Sequence, residues 1–380
     1  SDATNQRDNS GFFASATDVH SSVAHIRKFA AVSENRLGEN WQSRLQMSRG
    51  MDDTQNFLNG VPDTVNGAQF KTTSDLFSWQ NTLAVGESDM LVVGLEKLKQ
   101  QVASSTQYTR TNRTDDSLFA GYNGHIGAHQ VQANLRQDRY SDFGTANTWL
   151  LGVGHVLGEA WRVTASMATA FKAPTLNDLF YPFTDYGFGY SYSGNPDLKP
   201  ERSRNLELGA HYAHEWQRLD VVYFDNRIRD LIVINTLPAS TMVNLNEARI
   251  DGVELTYHGQ FGETGVRVAA TRQDPRDAQT GQALLRRAKG FSSVGVTRQF
   301  GELSVGGEWQ HSGSRTDVDI NTFARTELDA YDVVNLTANY ALGGHLELSA
   351  RVDNLLDKDY MPAHGYTALG RTLFIGLSYR

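Results

Sequence analysis

Few residues in this 380-residue sequence combine the types and spacing that covalent chemistry needs. His125 and His129 stand four apart, which brings two imidazoles to one metal only on a helix. Here they flank the segment Gly124–Gly127 and read as exposed turn residues. Asp317 and Asp319 alternate on one face of a loop arm and read as solvated carboxylates, since spacing alone does not make an acid–base pair. Glu207, Glu254, Glu347, Arg162 and Arg351 fall on the polar side of alternating segments, where a wall exposed to water is the simpler role. The sequence contains no G-x-x-x-x-G-K-[ST], no strand-linked G-x-G-x-x-G and no G-x-S-x-G elbow. Nucleophile, acid and base do not converge, so the chain is not expected to be an enzyme. The densest cluster of one chemistry is aromatic. Residues 180–192 carry seven rings, among them Tyr181, Phe183, Tyr186, Tyr190 and Tyr192. Rings give contact area at low entropic cost and suit a bulky ligand or a partner protein; a loop packed on itself explains them equally well.

The elements that must carry these residues alternate with period 2. Leu206, Leu208, Ala210 and Tyr212 interleave with Asn205, Glu207, Gly209 and His211. Val334, Leu336, Ala338 and Tyr340 interleave with Asn335, Thr337 and Asn339, and Leu346, Leu348, Ala350 and Val352 with Glu347, Ser349, Arg351 and Asp353. Trp161, Val163, Ala165 and Met167 do the same with Arg162, Thr164 and Ser166. One apolar and one polar face is the strand template. The runs cover about 9–11 residues, the length of a tilted strand crossing a bilayer.

Composition agrees. Only 39% of residues are hydrophobic, there are 34 glycines, 8 prolines and no cysteine, and the net charge is −8. Mean hydropathy is −0.45. No run approaches the ~20 apolar residues of a membrane helix. The acidic balance disfavours nucleic acid, and the absence of cysteine excludes disulfides and thiolate metal sites. A barrel needs apolar side chains on its lipid face alone.

Short turns near 38–40, 86–88, 123–124, 158–159, 214–215, 262–263, 300–301 and 343–344 alternate with long polar loops at 52–70, 102–115, 138–146, 172–202, 226–244, 274–286, 312–328 and 355–370. Short turns on one side and long loops on the other describe an all-β, antiparallel transmembrane barrel of the bacterial outer membrane. About seventeen strands are expected, an odd number where single-chain bacterial barrels have even ones. The first, near 20–37, runs down from a long loop, whereas a complete barrel starts upward; the chain is therefore expected to lack an N-terminal portion. Trp41, Trp161 and Trp216 follow short turns, and Tyr212, Tyr257, Tyr340 and Tyr379 lie near strand ends, as interface belts do.

Four segments, FKAPTLNDLFYP (171–182), GNPDLKPERSRNLELG (194–209), NLNEARIDGVEL (244–255) and VDNLLDKDY (352–360), resemble the C-terminal half of TonB-dependent outer-membrane receptors. LLRRAK (284–289), GSRTDVD (313–319) and GYTALGR (365–371) resemble the cobalamin-receptor branch of that family. The resemblance implies a barrel of about 22 strands closed by an N-terminal plug, with residues 1–380 as its C-terminal part and the plug absent. It implies active transport of cobalamin or another corrinoid, driven through TonB by way of the missing region, with outer-membrane lipid and lipopolysaccharide around the wall. It makes residues 1–18 the loop before strand six, with Asp2 and Asp18 matching calcium-binding aspartates and the carbonyl of Ser1 standing where the family has Tyr. Calcium takes six to eight oxygens, so these supply part of a site. Ala3 matches a ligand contact, and Arg286 an arginine whose guanidinium can donate to corrinoid amide or phosphate oxygens. Ala68 and Ile320 fall where the family carries a contacting Thr and Tyr; both departures remove a polar group. An iron-siderophore receptor is the second reading and a passive porin-like barrel the third; a plug and a TonB box upstream of Ser1 would exclude the third. A β-solenoid or lectin would need a packed core, which the polar second face of the strands does not provide.

Overall fold

The computed structural model describes residues 2–7, 19–64, 67–187, 190–235, 239–319, 322 and 324–379. The chain divides into two compact units: Ser1–Val153, Ser166–Asn205 and Arg227–Glu247 in the first, and Gly154–Ala165, Leu206–Asn226 and Ala248–Arg380 in the second.

The first unit contains an antiparallel meander. Asp2–Arg7 (β1), His20–Arg36 (β2) and Trp41–Leu58 (β3) pair in order; Val61–Pro62 (β4) folds back on the end of β3. Gln69–Val85 (β5), Asp89–Ser104 (β6), Asn112–Ile126 (β7) and His129–Tyr140 (β8) continue it. Next come Gly144–Leu157 (β9), Trp161–Lys172 (β10), the short helix Leu176–Phe180 (α1), the hairpin Thr184–Gly187 (β11) and Tyr190–Ser193 (β12), then Glu201–His214 (β13) and Gln217–Ile234 (β14). From Ala248 onward, Ala239–Phe261 (β15) opens the meander of the second unit. It runs through Thr264–Asp277 (β16), Gly290–Phe300 (β17), Leu303–Ser312 (β18), Tyr331–Gly343 (β21), Leu346–Asp353 (β22) and Thr372–Tyr379 (β23). A separate hairpin, Arg315–Val318 (β19) and Arg325–Leu328 (β20), stands between β18 and β21.

Register puts like side chains opposite each other. In the first unit Leu45, Trp79, Leu95 and Leu118 form one rung across β3, β5, β6 and β7. In the second, Val266, Val296, Gly307, Leu336, Val352 and Leu373 form one across β16, β17, β18, β21, β22 and β23. These rungs are open rather than packed: Leu118 is 62% and Leu373 63% exposed. A continuous open apolar face is costly in water and is what a hydrocarbon surround requires. The ladders leave the backbone hydrogen-bonded strand to strand, the other requirement for crossing lipid. Trp41, Trp161 and Trp216 follow short turns and are about half open, and Trp216 packs edge-on to Phe261 at 4.4 Å.

Four expectations need correction. The seventeen crossings are present, but Asp2–Arg7 adds another: residues 2–7 are not loop but an antiparallel partner of β2, with Asp2 opposite His25 and Arg7 opposite His20. Strand β2 is therefore not the first. Strands such as β3, with 18 residues, and β5, with 17, also outrun the bilayer, whereas β22 and β23 have 8 each. Segments 52–70 and 226–244, expected as loops, are largely hairpin arms, because residues above the lipid still pair their backbones, whether polar as at 52–56 or apolar as at 231–234. Finally, Asn123 and Gly124 lie inside β7, with Gly124 opposite Val131. Gly127 (φ +62°) makes that turn, so His125 and His129 lie on two strands and both are exposed.

Candidate functional site

Two groups of loop residues, one in each unit, carry the chemistry.

In the second unit, three segments distant in sequence are tied together. Arg286 sits at φ +59°, a left-handed position that costs a non-glycine residue about 1 kcal/mol or more. Its amide donates to the Thr316 carbonyl at 2.7 Å, and its Nε donates to Asp317 Oδ1 at 2.9 Å. Asp317 is fully buried. It also accepts from the backbone N–H of Val318 and of His364, both at 2.8 Å. Burial alone would push its carboxyl up; donation from the His364 N–H, Arg286 and the Val318 N–H outweighs that and holds it below the ordinary Asp range. The reading of Asp317 as a solvated carboxylate is thus overturned: it is the knot joining segments 278–289, 313–330 and 354–371. Its burial depends on Arg286 and His364, which no local pattern around residue 317 reveals.

Neighbouring contacts tighten the same knot. Buried Arg315 donates from Nε to the Pro362 carbonyl at 3.1 Å and from its terminal nitrogen to Met361 O. Its guanidinium lies 5.2 Å from the Tyr331 ring, which stacks on Tyr360 at 4.2 Å. Burial and Tyr331 push the Tyr360 phenol up, so it stays neutral. Arg325 donates to Ala283 O. The Arg286 side chain remains 56% exposed, with its terminal amino groups open to a ligand.

In the first unit, α1 is set by a capping box, Thr175 and Asp178 each accepting the other's backbone N–H. Leu179, Leu198 and Ile232 form a small core beneath it, with Phe180 and Met242 against them. Tyr108 donates from its hydroxyl to Asn177 Oδ1 at 2.5 Å. Its ring meets Tyr181 edge-on at 5.6 Å, and Tyr181 meets Tyr192 at 5.3 Å. Burial, with Tyr181 and Tyr192 alongside, pushes the Tyr108 phenol up to about 12. Tyr181 and Tyr192 therefore pack within the loop, whereas Phe183 is 70% exposed. Tyr186 and Tyr190 are placed by their backbones in β11 and β12. Beside α1 is a concavity of 670 Å³ whose lining includes Ser74, Gln100, Arg113, Tyr140 and Asn177. Arg113, nearly fully buried, donates to the Pro174 carbonyl at 2.7 Å and lies 3.3 Å from Asp142. Such donors suit a hydrogen-bonding ligand.

The remaining expected residues fall apart from these groups. Ala68 is half-buried and its carbonyl accepts from Asn56 N at 2.9 Å. Ala3 lies in β1 opposite Ala24. Ser1, Asp18 and Ile320 lie outside the described residues. Asp2 is placed by its backbone alone, opposite His25. Among the described residues no three His, Asp or Glu side chains converge as a metal site.

Residues 2–355 match the family described as TonB dependent receptor-like, beta-barrel. The chain belongs to that family of outer-membrane receptors. Among curated relatives it is 32% identical over 365 residues to the vitamin B12 transporter BtuB of Vibrio vulnificus, covering 92% of this chain and 56% of that protein. It is 28% identical over 367 residues to the vitamin B12 transporter BtuB of Photobacterium profundum, covering 95% and 57%. The chain thus spans about half the length of these relatives. Among solved structures, a variant of the ferric enterobactin receptor PfeA of Pseudomonas aeruginosa superposes with a TM-score of 0.78 at 20% identity, covering 95% of this chain and 62% of that one. At that identity the likeness speaks for the fold alone.

Proposed function

We propose that this chain is the wall-forming part of a receptor that captures cobalamin at the cell surface and delivers it to the periplasm with energy supplied through TonB. The observation that carries this reading is the 32% identity to a vitamin B12 transporter along 92% of the chain. The second unit adds chemical support. A corrinoid presents amide carbonyls and a phosphate, and Arg286 offers open guanidinium donors held in one orientation by buried Asp317. Calcium belongs to the same reading, with Asp2, Asp18 and the Ser1 carbonyl contributing oxygens.

The test is equilibrium binding of cyanocobalamin to the full-length protein in detergent, with calcium and with chelator. Submicromolar binding that weakens at least about tenfold on chelation supports both parts. Arg286→Ala is expected to weaken binding by about tenfold, as one or two charge-assisted hydrogen bonds disappear. Binding of a ferric siderophore with no cyanocobalamin binding overturns the cobalamin reading. Cobalamin binding unchanged by chelator overturns calcium alone.

A further inference from the structure

On the face of β7 and β8 opposite the apolar rung, three side chains of the first unit are short of one hydrogen. Ser117 Oγ lies 3.0 Å from Asp115 Oδ2 and 2.9 Å from Asp138 Oδ1. Register brings them together, with Ser117 opposite Asp138 and Asp115 opposite Tyr140. Asp115, Ser117 and Asp138 are 4%, 3% and 2% exposed. A hydroxyl has one hydrogen to donate. It satisfies one of the two carboxylates; against the other it sets lone pair to lone pair. Asp138 Oδ2, also buried, accepts no hydrogen bond at all.

The neighbours decide which carboxyl is charged. Asp138 Oδ1 accepts from Arg136 Nε at 2.8 Å, and Arg136 Nη1 reaches Glu96 at 2.8 Å. Asp138 therefore keeps its charge. Arg113, two residues along β7 from Asp115, donates to the Pro174 carbonyl at 2.7 Å and lies 3.3 Å from Asp142, with Asp178 also facing it. Arg110 is held by the Asn112 and Ser141 carbonyls. Lys97 and Arg139 stand on the other face with Asp116. β6 sets Leu98 opposite Asp115 and Glu96 opposite Ser117. β9 adds the buried Ala146 and has His155 as its one ionisable residue. Tyr140, opposite Asp115, is neutral. No cation is thus left for Asp115, and an ionised carboxylate there would be buried without one. About ten residues of tilted strand cross a bilayer, and Asp115 lies farther than that from the turn at Gly127, above the hydrocarbon. Burial, and then the charge of Asp138, push its carboxyl up against the pull of Ser117.

We infer that Asp115, Ser117 and Asp138 form a buried proton-binding site that ties β7 to β8 at the loop end of the wall. Asp115 Oδ2–H donates to Ser117 Oγ, and Ser117 Oγ–H donates to Asp138 Oδ1. Three oxygens then share two hydrogens and one negative charge. Loss of the proton turns two carboxylates on one hydroxyl and loosens that end. The stabilisation is complete below the unfolded Asp value of about 3.9 and is lost as pH rises from there through the folded value. The site stands apart from the identity of the transported ligand.

Infrared difference spectroscopy of the full-length protein in detergent, wild type against Asp115→Asn, tests it. The wild type should show the carbonyl stretch of a protonated carboxylic acid at pH 6, about two units above the ordinary Asp value, and the variant should lack it. Hydrogen exchange reads the tie itself. After correction for the intrinsic pH dependence, exchange in 112–118 and 136–142 of the wild type should quicken by up to about tenfold per pH unit above about pH 4, one proton being released on opening. In Asp115→Asn it should stay level, because the amide donates to Ser117 as the acid does and does not ionise. Absence of the acid band at pH 6 overturns the inference. So does exchange in these segments that follows pH equally in wild type and variant. A band that appears only after chelator treatment overturns it as well, since a metal ion rather than a proton would then hold the pair.

Discussion

The loop at residues 173–200 of the first unit and the three tied segments of the second are both carried between strands of the wall. They are closed by different chemistry. The first is held by apolar burial under α1 and by the rings of Tyr108, Tyr181 and Tyr192. The second is held by one buried carboxylate, Asp317, and by arginines that reach backbone carbonyls. Burial is non-directional and tolerant of small shifts. A buried carboxylate is the reverse: it demands its donors in place and depends on its charge. The apolar loop is thus suited to bulk contact, and the ionic knot to aiming one guanidinium.

Removing the main support of each region should expose this difference. Leu179 is 3% exposed within the apolar core. Leu179→Ala should loosen residues 173–200 by about 2–4 kcal/mol, the range for buried leucine truncations. Hydrogen exchange should read the loss in that loop, with segments 278–289 and 354–371 unchanged. Spread of the loss to both regions would show that they open as one unit. Asp317→Asn keeps the shape and removes the charge. It should loosen 278–289 and 354–371 by about 1–3 kcal/mol, because a charged acceptor of three donors is weakened. It should also weaken cyanocobalamin binding less than Arg286→Ala does, since the guanidinium remains but is no longer aimed. A larger effect than Arg286→Ala would mean that Asp317 itself meets the ligand.

Acid and alkali should separate the regions further. The Asp317 carboxyl is depressed in the folded state. Its stabilisation is therefore complete above the unfolded value of about 3.9 and is lost as pH falls below that, through the lower folded value. Exchange in 278–289 should accelerate below about pH 4 in wild type and not in Asp317→Asn. The Tyr108 phenol moves the other way, up to about 12. Its contribution is complete below the unfolded value of about 10 and is lost as pH rises from there toward the folded value. Alkali should then open the aromatic loop while leaving the Asp317 carboxylate charged and its three donors in place; in the knot it acts through the Tyr360 phenol, which is also raised.

How much of this the sequence carries differs between wall and loops. Period-2 alternation at 334–340 and 345–353 is a direct record of one lipid and one polar face, so strands, band and most turns are readable. Beyond the lipid that record stops. Residues 52–56 are polar on both sides and 231–234 apolar on both, so neither alternates, and nothing local separates a hairpin arm from a loop. Asn123-Gly124 carries the strongest turn signal yet stays in β7, because the ladder continues to Ile126 and Gly127 takes the left-handed position. Arg286 is readable through its family motif, but the partner that aims it is not. Asp317 becomes buried only when residues 286 and 364 arrive beside it, a product of three long-range closures.

The smallest effect tests whether the aromatic loop is held by its rings or by its one strong polar contact. Tyr108→Phe keeps the edge-on packing against Tyr181 at 5.6 Å and deletes the 2.5 Å hydroxyl bond to Asn177. A hydrogen bond of this kind is worth about 1 kcal/mol net. Exchange in 173–181 should therefore quicken by about fivefold at neutral pH, and the alkaline opening should shrink to what the Tyr192 phenol, also pushed up by burial, still causes. If the loop instead opens as far as in Leu179→Ala, the hydroxyl rather than the core closes it. The two regions would then share one design, each hung on a single polar group, and the contrast between them would be one of charge alone.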